Sequence, residues 1–209
     1  MSSVARTSAR RRLDLIVALA GLGAVTACAF TADNGMVGSF ERGIFEAING
    51  LPGALSPAMV SAQYLGVLPV GPLVAVAALI LRRYRLAAAA LLVTFGKLAA
   101  ERTVWEFVQR QRPGVTEPNA IVRGSTATRG LSLVSGHVIL VTALAWIVAP
   151  YLRGGWRVTP WIIVALVGFA RIYVGAHHPL DVVGGVALGL TVGAAANLIV
   201  GTPEPEPEG

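Results

Sequence analysis

The sequence predicts an all-α protein, a polytopic bundle of about six membrane-spanning helices. Three observations lead there. Hydrophobic residues make up 55% of the 209-residue chain and charged residues only 13%, with a mean hydropathy of +0.67, which is too apolar for a soluble domain. The apolar residues gather into runs of the length that crosses a bilayer core as helix. The basic residues sort between the ends of those runs. Arg6, Arg10, Arg11, Arg12, Arg82, Arg83, Arg85, Arg153 and Arg157 share the side of the N-terminus, while Arg42, Arg110, Arg112, Arg123 and Arg129 fall in the loops opposite. The positive-inside rule then places the N-terminus in the cytoplasm.

Residues 1–12 read as a flexible, basic cytoplasmic start, 13–200 as the membrane domain and 201–209 as a disordered cytoplasmic tail of alternating Pro and Glu. The first span covers 15–32. A competing reading is a cleaved signal, because Val25-Thr26-Ala27-Cys28 resembles a lipoprotein processing site. Residues 33–61 interleave Glu41, Arg42, Glu46 and Asn49 with Phe40, Ile44, Phe45, Ile48 and Leu51, the spacing of an amphipathic helix lying in the outer interface. The second span, 65–81, contains Pro69 and Pro72, which bend its outer half. The third starts at Leu86. Its apolar run ends near Ala100, but helix periodicity continues to Gln109, with Lys97 and Glu101 one turn apart. A lysine this far into a span is costly and serves either a structural ion pair or a function.

Residues 115–134 form a polar outer loop. The fourth span covers 135–151, the fifth runs from Pro160 to about 174, and the sixth from Pro179 to about 200. In the last, Gly185, Gly189 and Gly193 recur every four residues as a face for close helix packing. The net charge of +6 is thus accounted for by topology. No aromatic-basic interleaving points to nucleic acid. The single cysteine, Cys28, excludes an intrachain disulfide and argues against a thiolate metal cluster.

Chemistry-bearing residues stand at the outer ends of three spans. Arg112-Pro113 follows the third, Ser135-Gly136-His137 opens the fourth, and Arg171 with His177 and Asp181 joins the fifth to the sixth. Asp181 follows His177 by four residues, so helical or turn geometry brings a carboxylate to the imidazole. A carboxylate on one ring nitrogen fixes the tautomer and leaves the other free to attack an electrophile. The bland alternative is a polar loop at the membrane surface with Arg171 snorkelling.

These three stretches, in this order, resemble the type-2 phosphatidic acid phosphatase family, membrane relatives of the vanadium haloperoxidases. The likeness covers roughly residues 30–200. That family's pattern is Lys, six residues, Arg-Pro; then Pro-Ser-Gly-His; then Ser-Arg, five residues, His, three residues, Asp. Trp105 stands at the lysine position, Val134 at the proline and Ala170 at the serine.

The resemblance implies a metal-independent phosphatase without cofactor, acting on a lipid-linked phosphate within membrane lipid. In it His177 attacks phosphorus to give a phosphohistidine, Asp181 orients His177, and His137 protonates the leaving group and then activates water. Arg112, Arg171, Ser135 and Gly136 bind the phosphate oxygens, and no metal takes part. Arg102, one turn before Trp105, is the expected replacement for the lysine, with Arg110, Arg123 and Arg129 as alternatives. Polyprenyl diphosphate, phosphatidic acid and phosphatidylglycerol phosphate all suit such a site, an isoprenoid carrier slightly best. The contrasting reading is a non-catalytic membrane protein that binds or exchanges phosphate or lipid phosphate.

Overall fold

A computed structural model describes residues 3–32 and 37–201, with side chains from residue 11 onward. The tail 202–209 lies outside the described residues. The helices are α1 (Ser3–Ala32), α2 (Ser39–Asn49), α3 (Ser56–Ala62), α4 (Val70–Ile80), α5 (Tyr84–Phe107), α6 (Pro113–Thr116), α7 (Gly136–Val148), α8 (Thr159–Tyr173) and α9 (Pro179–Val200), with 3-10 turns at Gly53–Leu55, Gln63–Gly66, Ala149–Tyr151 and Gly154–Val158. The described residues form no strand. The all-α expectation is met.

Length and apolarity among the described helices single out fewer than six candidate spans. Arg11–Ala32, Gly154–Tyr173 and Pro179–Val200 are long and apolar enough to cross a membrane. Gly53–Gly66 with Val70–Ile80 makes a fourth if this pair, bent by 63°, counts as one span. The bend lies next to Pro69, as the two prolines predict. Helix α5 is long enough, but Lys97, Glu101, Arg102 and Glu106 interrupt its apolar surface. The apolar helix Gly136–Tyr151 is shorter than these and is the inner helix of the bundle, buried along Val138–Ala145 and at Ile147. Helix α1 begins at Ser3, within the basic start. The segment holds Ala and Arg, both good helix formers, and no Gly or Pro to break it.

Helix α9 packs against α1, α7, α5 and α8. The glycine face read from the sequence is its contact with α7. A Cβ at Gly185 would lie 3.0 Å from the Ser135 carbonyl, at Gly189 2.7 Å from the Ile139 carbonyl, and at Gly193 2.9 Å from the Ala143 carbonyl. This close approach locks the start of α7 beside the start of α9. The outward faces of α1 and α4 expose Leu13, Ile16, Leu19, Leu73, Val76 and Ile80, the surface of helices that face lipid.

The opposite end of the bundle has its own polar tie. Asp14 on α1 accepts hydrogen bonds from Trp146 Nε1 at 2.8 Å and Asn197 Nδ2 at 3.3 Å. Arg83 there stacks on Tyr151, 5.0 Å from the ring centre.

Candidate active site

Backbone geometry assembles the site before any side chain does. The Ser135 N–H donates to the Asp181 carbonyl at 3.0 Å, stitching the first residues of α7 to the first turn of α9. After α8 the chain folds back on itself: the Ala176 and His177 N–H groups both donate to the Arg171 carbonyl, at 3.0 and 3.3 Å. Gly175 makes this reversal with φ +75°, and a Cβ there would also meet the Ile121 carbonyl at 2.7 Å, so only glycine suits it. The turn sets His177 beneath Arg171.

Asp181 is the buried hub. Its Oδ1 accepts from Arg110 at 3.1 Å. Its Oδ2 accepts from the Ser132 hydroxyl and, at 2.8 Å, from the His178 N–H, which caps α9. Arg110, with no exposed surface, reaches on to Glu41 at 2.5 Å, and Glu41 accepts the Leu180 N–H at 2.8 Å. His177 Nδ1 lies 3.6 Å from Asp181 Oδ2 and 3.0 Å from the Ser132 carbonyl. A carbonyl only accepts, so Nδ1 carries the proton and Nε2 keeps its lone pair. Ser132 therefore mediates much of what the spacing assigns to Asp181 directly: its carbonyl orients the imidazole while its hydroxyl holds the carboxylate. Burial pushes the His177 pKa down to about 4, against the pull of Asp181 and with help from Arg171 and Arg112, so the ring is neutral at physiological pH.

Around this ring the donors converge. Arg171 is buried and gives one N–H to Gln63 Oε1. Arg112 gives one to the Ala176 carbonyl at 3.3 Å. Burial lowers the Arg112 pKa, with Asp181 and Glu101 opposing the shift. The Nε–H groups of both arginines and the Ser135 hydroxyl are buried and have no hydrogen-bond partner. His137 lies in the field of Arg171, His177, Lys97 and Arg112. Gly66 packs on its backbone, where a Cβ would stand 3.1 Å from the His137 carbonyl.

Seven of the eight residues singled out from the sequence (Arg112, Ser135, Gly136, His137, Arg171, His177 and Asp181) meet at one end of the bundle. Arg102 does not join them. It is exposed on α5 and, among the described residues, makes no hydrogen bond or ion pair. The named alternatives are committed or exposed. Arg110 is spent on Asp181 and Glu41. Arg123 donates to the Tyr173 carbonyl at 2.6 Å and the Leu51 carbonyl at 3.1 Å while stacking on the Tyr173 ring, and Arg129 is exposed.

The cation that does reach the cluster is Lys97, paired with Glu101 at 2.6 Å. A Cβ on Gly136 would lie 2.7 Å from Lys97 Nζ and closer still to Glu101 Oε1. Ser132, Gln63 and Glu41 complete the site without a motif to announce them. His178 is structural: fully buried, 3.1 Å from the Thr116 hydroxyl and tilted against Phe45 with ring centres 5.5 Å apart. Trp105 is half-buried, and its indole N–H has no partner. Among the described residues, no three His, Cys, Asp or Glu side chains converge as metal ligands.

A helical bundle with apolar outer helices, and a cluster of arginine, lysine and histidine buried at one end, defines a multi-pass membrane protein with a cationic cluster. The chain belongs to the PAP2 superfamily, whose sequence model matches residues 84–204. It is 37% identical over 94 residues to decaprenylphosphoryl-5-phosphoribose phosphatase of Mycobacterium tuberculosis, a match covering 45% of this chain and 50% of that protein. It is 39% identical over 61 residues to lipid A 4'-phosphatase of Porphyromonas gingivalis, covering 29% of this chain and 26% of that one. The chain thus spans half or less of the length of these relatives.

Two solved structures share the fold at 20% identity. Aquifex aeolicus LpxE superposes with a TM-score of 0.67 over 76% of this chain and 95% of its own. The transmembrane PAP2 type phosphatidylglycerolphosphate phosphatase of Bacillus subtilis does so with 0.70 over 86% and 94%.

Proposed function

We propose that this protein is a membrane phosphatase that hydrolyses a lipid-linked phosphate through a phosphohistidine. The observation that carries this reading is the set of three buried donors without partners, Arg112 Nε, Arg171 Nε and Ser135 Oγ, around an imidazole whose Nε2 lone pair is free. Planar guanidinium forks suit the equatorial oxygens of a phosphoryl group, and the N-terminus of α7 adds its dipole.

In the first step, His177 Nε2 forms a bond to phosphorus as the bond to the leaving oxygen breaks, and His137, protonated as the phosphate anion binds beside it, gives that oxygen a proton. Asp181 and the Ser132 carbonyl stabilise the ring as it becomes positive. In the second, His137 takes a proton from water, the water oxygen bonds to phosphorus, and the P–N bond breaks to release phosphate. Charge stabilisation comes from the arginines, so the protein groups alone complete the cycle.

The decisive experiment is phosphate release by the purified protein from a panel of lipid phosphates in detergent. Release from at least one is expected; binding without release from any would favour the non-catalytic reading, which the Trp105, Val134 and Ala170 departures motivate. The arginine distribution supports a site on the outer face of the plasma membrane. A cysteine introduced within 115–130 should accordingly react with an impermeant thiol reagent on intact cells. Reaction only after lysis would invert the topology.

A further inference from the structure

Lys97 is the only lysine in a chain of sixteen arginines, and it stands in the membrane-depth part of α5 where a cation needs a partner. Its partner is Glu101, and the pair lies over Gly136, the first residue of α7. Both side chains reach the cluster electrostatically: Lys97 acts on His137 and Glu101 acts on Arg112. The lysine and glutamate side chains are 13% and 11% exposed, so solvent screens them little.

A lysine alone would strengthen any phosphate site. A carboxylate brought with it does the reverse, since it repels the most highly charged ligands most. Facing the pocket, Arg112, Arg171 and Lys97 are positive and Glu101 is negative; Asp181 also acts on Arg112, but Arg110 balances it. A phosphate monoester carries about −1.5 to −2 at neutral pH, which suits a net of two positive charges there. A terminal diphosphate carries about one negative charge more, and that excess meets Glu101. Discrimination by a placed repulsive group is a general route to specificity.

We propose that the Lys97–Glu101 pair is the specificity element of this site, matching it to a lipid phosphate monoester over a lipid diphosphate. This rests on the phosphatase reading above and narrows its substrate class. In the complex Lys97 turns to the phosphate oxygens, and Glu101 sets how much negative charge the site accepts.

The test is kcat/KM on a monoester and a diphosphate of the same lipid, with purified protein in detergent. The wild type should prefer the monoester. Glu101→Gln, nearly isosteric, should shift the ratio toward the diphosphate on the order of tenfold, the scale of one unit charge at this range. Lys97→Met should lower both rates on the order of 100-fold, as loss of one transition-state donor does. The double variant Lys97→Met/Glu101→Gln keeps the wild-type charge sum, so its rates should be low but its ratio close to wild type.

A purely structural ion pair would lower thermal stability in all three variants with the ratio unmoved, and that result overturns the proposal. So does an active wild type that prefers the diphosphate. A wild type inert on both substrates instead removes the phosphatase reading beneath it.

Discussion

His177→Ala should reduce turnover on the order of 1,000-fold or more, the scale seen when a covalent nucleophile is deleted, while the protein stays folded. The two halves of that expectation rest on different contacts. The chemistry depends on Nε2, because neither other histidine offers an equivalent: His137 has no carboxylate one turn on, and both polar edges of His178 face Thr116, Glu117 and Asp181.

The fold does not depend on the imidazole, because Asp181 keeps Arg110, the Ser132 hydroxyl and the His178 N–H when His177 is gone. What is lost is one donor to the Ser132 carbonyl and a buried ring, about 1–3 kcal/mol for the unsatisfied acceptor. Quenching the wild type with a radiolabelled substrate should trap a phosphoenzyme that the variant lacks. Wild-type turnover in His177→Ala, or a phosphoenzyme that survives it, would discard His177 as nucleophile.

The parts of this site legible in the sequence are those whose partners lie within a turn or so of each other. Arg171, His177 and Asp181 share one helix–turn–helix, and Ser135 to His137 share one helix start, so their spacing carries their geometry. Arg102 stands exposed for a physical reason. Counting back from Arg112 along a helix leads to Trp105 and then to Arg102. In fact α5 ends at Phe107 and the chain returns extended through Val108 and Arg112, so the register of a helix does not apply across that stretch. Lys97 lies ten residues before the helix end, about 15 Å deeper along α5, level with the start of α7.

Ser132 left no signal at all, because its role comes from a loop carbonyl as much as from its hydroxyl. The difference between six expected spans and the three or four that length and apolarity single out has a related origin. The apolar stretch of α7 reads as a lipid-crossing helix by composition, yet it is apolar because other helices surround it. Hydropathy does not distinguish protein from lipid as the surrounding medium.

The second large effect belongs to the buried chain Glu41–Arg110–Asp181. Asp181→Ala should abolish activity and also lower stability by about 3–5 kcal/mol, the cost of leaving a buried charge without its partner. The guanidinium of Arg110 has no exposed surface, and without Asp181 only Glu41, 15% exposed, remains to balance it. Asp181→Asn should be nearly as damaging. Three donors point at this side chain, from Arg110, Ser132 and the His178 N–H, and an amide offers one oxygen where the carboxylate offers two.

Removing both charges separates the roles. Asp181→Asn/Arg110→Met should recover part of the lost thermal stability in detergent, because the fully buried guanidinium is gone and the ion left without its partner is Glu41, 15% exposed and still accepting the Leu180 N–H. It should recover no activity, since the imidazolium formed at His177 during attack would still lack a carboxylate. If Asp181→Ala unfolds at the wild-type temperature, Arg110 is not held by this pair and the hub is wrong. If the double variant regains turnover, Asp181 serves the fold alone, and the Ser132 carbonyl is sufficient to orient His177.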